Sequence, residues 1–127
     1  MDKRYIKLIE IARALKPLRQ ELREFHVAGI FKKNKLISLG TNTLKTHPKT
    51  IGFYPSYQSE NSTHAEAMAC IRGKLENYSK HDLIVIRLDN RGLINYSKPC
   101  NGCMHFVNML NFENIFYSNH NGEIIKL

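Results

Sequence analysis

The chain has 127 residues, 43% hydrophobic and 24% charged, which suits one globular domain spanning residues 1–127 with a core of its own. No apolar run reaches 18 residues and charges interrupt the start MDKRYIKLIE, so neither a membrane-spanning helix nor a secretion signal is expected, and the cytoplasm is the default location. The formal charge of +8 is uneven: residues 1–59 carry 12 Lys and Arg against 4 Asp and Glu, whereas residues 60–127 carry 7 of each. That asymmetry fits either a solvated basic face or attraction to a phosphate-bearing partner, nucleic acid included.

Residues 3–24 read as a helix. Tyr5, Leu8, Ile9, Ala12, Leu15, Leu18, Leu22 and Phe25 recur at steps of three and four. Pro17 interrupts the pattern and should kink or split the helix near Leu15. HVAGIF and KLISLG flank Lys32–Asn34 and predict a hairpin. Residues 41–63 have no periodicity and contain Pro48 and Pro55, so they read as a long loop, a feature that in a small domain commonly serves function or is disordered. A second helix is expected from His64 to about Asn77.

DLIVIRL, residues 82–88, is short and nearly all apolar, as a buried central strand should be. DNRGLINYSK reads as a loop. A third helix is expected from Pro99 to about Leu110, with proline at its first turn. NIFYS and EIIKL read as strands around NHNG. The order α-β-β-α-β-α-β-β predicts an α/β domain of three layers, a five-stranded mixed sheet between helices. Four residues can reverse a chain but cannot make a parallel crossover, so the last two strands should be antiparallel.

The chemistry lies in two short stretches. In PCNGC, Cys100 and Cys103 are three apart in the first turn of a helix. They share a face, and the helix start favours thiolate, making the pair suitable soft ligands for zinc. A redox pair or half of a structural zinc site would show the same spacing. In STHAE, Thr63 and Glu66 match a capping box, and His64 on its own reads equally as an ordinary first-turn residue. Together with the cysteines the reading changes. Two thiolates leave tetrahedral zinc short of ligands, and His64 can supply a third if the two helix starts face each other. Glu66 would then reach the open fourth position, where water sits, which is the arrangement of a catalytic zinc rather than a structural one. His105 and Cys70 are the candidates to close the site. His105 points off the cysteine face and Cys70 lies nearly two turns into its helix, where it reads as a small buried apolar residue.

HAE followed by PCNGC resembles the H-x-E…P-C-x-x-C signature of the cytidine and deoxycytidylate deaminase superfamily, and the predicted element order is similar to that fold over nearly the whole chain. The resemblance implies a zinc-dependent hydrolase of nucleotide metabolism that converts cytosine to uracil and releases ammonia. It implies one zinc ion on His64, Cys100 and Cys103, with Glu66 as proton shuttle. It also places Asn42, in LGTN, where these enzymes carry a substrate-binding asparagine; a plain turn residue is the alternative. The backbone of Ala65 would face the pyrimidine carbonyl. A tight NHNG turn with no helix between the last two strands is similar to the branch acting on free cytidine. This favours a small nucleoside or nucleotide and a homo-oligomer whose neighbour, or residues 41–63, would cover the pocket. The basic first half and Tyr54 and Tyr57 in GFYPSYQ pull towards single-stranded DNA or RNA, unless those rings merely anchor their loop. A catalytically silent zinc-stabilised module is the third reading, against which Glu66 argues.

Overall fold

The computed structural model of the protein describes residues 2–19, 24–43, 64–75 and 77–127. Thr63, Leu22, Tyr54, Tyr57 and all of the 41–63 loop beyond Thr43 lie outside them. Helix α1 (Lys3–Leu15) is capped by Asp2, whose carboxylate accepts from the Arg4 amide. It passes into a short 3₁₀ turn, Lys16–Leu18, because Pro17 cannot supply the amide the α-helix needs. The 3–24 helix is therefore shorter than expected, and Phe25 opens a strand instead of closing the helical stripe.

Strands β1 (Phe25–Lys32) and β2 (Lys35–Thr41) form the hairpin, with Lys33 at φ 55° in its turn. Helix α2 (Ala65–Gly73) follows, then β3 (Asp82–Leu88), a two-residue β4 (Ile94–Asn95), α3 (Asn101–Asn108), β5 (Asn114–Ser118) and β6 (Ile124–Lys126). The sheet order is β2-β1-β3-β5-β6, with β4 paired to the end of β3. Only β3 and β5 run parallel among the described strands. β6 runs antiparallel to β5, and Gly122 takes φ 80° in the connection. The mixed sheet and the final antiparallel pair are as expected. Strand β4 is added, inside what reads as a loop. The Asp89 carboxylate accepts the Arg91 and Leu93 amides and bends the chain back, so that Leu88 pairs with Ile94.

The period-two pattern divides the core. Phe25, Val27 and Phe31 of β1 and Ile84, Ile86 and Leu88 of β3 meet Tyr5, Leu8, Ile9 and Ala12 of α1 on one face. Ala28, Ile30, Leu83 and Val85 meet Ala65, Ala69, Cys70 and Val107, from α2 and α3, on the other. These are the three layers. Helix α2 ends earlier than Asn77. Lys74 adopts a left-handed conformation at its end, and the Tyr78 hydroxyl donates to the Cys70 carbonyl at 2.8 Å. Tyr78 stacks on Phe112, ring centroids 4.9 Å apart.

Candidate metal and catalytic site

Two helix starts meet on the α2/α3 side of the sheet. His64 is the N-cap of α2 and Cys100 the N-cap of α3, so Pro99 and Cys100 precede the third helix rather than opening it. His64 Nδ1 lies 3.4 Å from Cys100 Sγ and 3.2 Å from Cys103 Sγ, and the three donor atoms all lie within 4.8 Å of one another. Bonds of about 2.0–2.1 Å to nitrogen and 2.3 Å to sulfur in a tetrahedron put such atoms about 3.6 Å apart. The spacing and the donor set thus fit a zinc ion. Cys70 belongs to the apolar cluster between α2 and the sheet, as expected of a small apolar residue, and burial pushes its thiol up to about 12.

The electrostatics agree with a ligand cluster. The Cys103 hydrogen bond holds the Cys100 thiol down at about 4, with help from His64 and the Cys103 amide and against the effect of burial. His64 loses basicity to burial but gains more from Cys100 and the Glu66 charge, so its net shift is upward. Glu66 is only 3% exposed. Burial raises its carboxyl above the usual range, while His64 and a hydrogen bond with the Cys103 thiol pull the other way. That contact places the carboxyl beside the two cysteine sulfurs. The capping-box reading of Glu66 needs Thr63, but it is His64 that caps α2, without a side-chain bond of its own to the helix.

The sequence makes this approach possible at Gly40. A Cβ there would run into the Ala69 amide and the Ala65 carbonyl, so only glycine lets α2 lie this close to β2. Ser38 fixes the same contact by donating to the Ala69 carbonyl at 2.7 Å. The approach to Cys100 is fixed by a buried serine pair. The Ser97 hydroxyl donates to the Val85 carbonyl at 2.8 Å and accepts the Ser118 amide at 2.8 Å, and the Ser118 hydroxyl donates to the Asn95 carbonyl at 2.6 Å.

Ala65 is buried at the first position of α2, next to the cluster. Asn42 is placed differently from a bare pocket residue. Its Oδ1 accepts the His26 amide at 2.9 Å and its Nδ2 donates to the Glu24 carbonyl at 2.9 Å, so both ends brace the entry to β1. The sequence reading overlooked two residues beside the cluster. His26 and Arg87 pair across β1 and β3, and by alternation both face α2 and α3. Burial pushes His26 down to about 4, helped by the charges of Arg87 and His64 and opposed by Cys100. Arg87 contacts the Tyr96 carbonyl at 3.3 Å and Glu24 at 3.6 Å, while its Nε is buried with no partner. The signal was an arginine inside the otherwise apolar DLIVIRL.

No family model and no curated protein matches the sequence. Solved structures do match. A cytidine deaminase from Burkholderia pseudomallei superposes with a TM-score of 0.60 at 14% identity, over 100% of this chain and 92% of its own. A cytidine deaminase from Mycobacterium leprae gives 0.59 at 15%, over 98% and 94%. The chain has the cytidine deaminase fold. A dCMP deaminase from the cyanophage S-TIM5 shares this fold with a TM-score of 0.55 at 15% identity, over 94% of this chain and 86% of that one. In this cytidine deaminase fold, no helix among the described residues is long and apolar enough to cross a membrane.

Proposed function

We propose that the protein is a zinc-dependent hydrolytic deaminase of a cytosine nucleoside or nucleotide. The observation that carries this reading is the Glu66 carboxyl, buried and hydrogen-bonded to Cys103 beside the His64–Cys100–Cys103 triad. A structural zinc site has no use for a buried carboxylate at that place, and burying one is costly. A bound zinc ion would supply the Lewis acidity that brings a water's ionisation towards neutral pH.

The chain's own groups then have defined tasks. The Glu66 carboxyl, with its raised affinity for protons, takes a proton from the attacking water and passes it to the ring nitrogen. It next takes the proton of the new C4 hydroxyl and hands it to the amine as the C–N bond breaks, so that the C4 carbonyl forms and ammonia leaves. One water is consumed and cytosine becomes uracil. The Ala65 backbone, at the start of α2, would meet the pyrimidine carbonyl. Asn42 would meet the sugar with the amide hydrogen and lone pair that its bonds to Glu24 and His26 do not use. His26 and Arg87 would wall the pocket towards the sheet.

The antiparallel β5–β6 pair ends the sheet on a short turn, which supports a small substrate over a polynucleotide. Cover for the pocket would come from residues 41–63 or from a second copy, in a homo-oligomer. The test is an ammonia-release screen of zinc-loaded protein. Its substrates are cytidine, deoxycytidine, their monophosphates, guanine, adenosine and cytosine-containing oligonucleotides. Fastest turnover of one free cytosine nucleoside or nucleotide supports the reading. Turnover confined to oligonucleotides, or none at all, overturns it.

A further inference from the structure

A lysine-rich pole lies at the opposite end of the sheet from the zinc-ligand cluster. Arg4 ties the start of α1 to the start of β3 through Asp82 at 2.6 Å, and Asp82 pairs with Phe31 at the end of β1. The α1 start, the β1–β2 turn and the β3 start are therefore one pole. It carries Lys3 and Lys7 on α1, Lys32, Lys33 and Lys35 on the hairpin, and Lys80 just before β3, all exposed. His26, Arg87 and the ligands lie at the other end of β1 and β3, about 20 Å away at about 3.3 Å per residue.

The carboxylates nearest this pole do not neutralise it. Asp2 and Asp82 are both taken up by Arg4. Glu113 contributes one exposed charge and Glu10 lies one turn beyond Lys7. Among the described residues none of the six lysines forms an ion pair.

We propose that this lysine pole binds the phosphate backbone of a nucleic acid, as a tether distinct from the deaminase pocket. The chemistry favours this partner. A protein interface is organised around an apolar or aromatic centre, and a membrane-surface site needs apolar or aromatic groups to enter the headgroups. The described pole offers only single apolar side chains on separate elements: Ile6 between Lys3 and Lys7, Ile37 two residues beyond Lys35, and Leu127 beside the start of β5, at 41%, 38% and 44% exposure, of ordinary surface character. What remains is a set of ammonium groups at one end of the sheet, which phosphate polymers bind with release of counterions. Since a tethered polymer would sit a full sheet length from Glu66, binding and turnover should be separable. The inference does not depend on the deaminase reading.

The experiment measures fluorescence anisotropy of the whole protein with a 30-nucleotide oligo-dT, a 20-base-pair duplex and phosphatidylserine vesicles, from 50 to 300 mM salt. The comparison is a Lys32→Gln/Lys33→Asn/Lys35→Gln variant, asparagine being chosen because position 33 is left-handed. The expected result is nucleic-acid binding whose log–log salt slope falls by about two in the variant, with at least about tenfold weaker binding at 50 mM salt. Glu66→Ala should bind as the parent does, and the lysine variant should keep its zinc content. Equal binding by the lysine variant, no binding to either nucleic acid at 50 mM salt, or preference for the vesicles would each overturn the proposal.

Discussion

Gly40 and Ala69 touch so closely that no β-carbon fits between them: one built on Gly40 would overlap the Ala69 amide nitrogen. Both partners of the clash are backbone, so neither can swing away as a side chain would. Since α2 begins with His64 and Glu66, whatever lifts α2 off β2 also moves the proposed zinc ligand and the proposed proton shuttle. Gly40→Ala should therefore cost about 1–3 kcal/mol or more of stability and weaken zinc binding. Urea unfolding with parallel zinc titration measures both. An alanine variant with unchanged stability and zinc affinity would show that α2 is not held by this contact.

Most of the element order was legible because its signals are local. The strand at 82–88 is an apolar run, the hairpin follows from its turn, and the final antiparallel pair follows from a connection too short to cross over. Cys100 and Cys103 declare themselves by spacing, and His64 by what the pair lacks. The rest depends on contacts distant in sequence. The early end of α2 requires Tyr78 to reach back to Cys70, and β4 requires the turn around Asp89. His26 carries no motif; it matters because β1 places it opposite Arg87. Asn42 stands in LGTN with no local sign of its partners, because its bonds to Glu24 and His26 form only when β1 and β2 pair.

The serine pair before Cys100 should behave as a positioning device. Ser97→Ala would leave the Ser118 amide and the Val85 carbonyl each without the partner described above, at a cost of about 1–3 kcal/mol. Because the same segment leads into Pro99 and Cys100, zinc affinity should fall as well, by about tenfold. Competition with a chromogenic chelator reads the affinity. Ser97→Thr, which keeps the hydroxyl, should restore part of it; lost stability with unchanged zinc affinity would mean that the strap holds the sheet and not the site.

His26 should give the protein an acid-sensitive limb. Its folded value is about 4 against an ordinary 6.5, so between these limits the unfolded chain binds more protons. Stability contributed by neutral His26 is complete above about pH 6.5 and is lost as pH falls towards 4. The slope in that window is at most about 1.4 kcal/mol per pH unit for one group. Arg87 and His64 push His26 the same way and Cys100 opposes them, so the comparison must be made within one metal state. Unfolding free energies of the parent and His26→Gln are compared from pH 4 to 8. The parent should lose stability relative to the variant as pH drops. A difference independent of pH would rule out His26 as the source.

The three cysteines should separate by alkylation. Zinc held by Cys100 and Cys103 would protect both at neutral pH, and a strong chelator should expose two thiols to iodoacetamide. Cys70, only 4% exposed and with its thiol raised to about 12, should react only after unfolding. Peptide mapping distinguishes the sites. Modification of Cys70 before Cys100 and Cys103 in chelated but folded protein would contradict both assignments, and Cys100→Ser with a full complement of zinc would contradict the ligand set.

Glu66 offers the sharpest test, because the two roles open to it predict opposite results. A carboxyl at 3% exposure, with burial as the main influence on its proton affinity, is a liability to the folded state that function would justify. Glu66→Gln keeps the shape and the hydrogen-bonding reach but removes the charge and the proton. The variant should retain zinc, hold or gain stability, and lose about 10²–10⁴ or more in turnover of the substrate found by the ammonia screen. A capping residue behaves the other way: its loss would lower stability by about 0.5–2 kcal/mol and leave turnover nearly intact. Thermal unfolding and ammonia release on the same preparation, with zinc content measured alongside, decide between them.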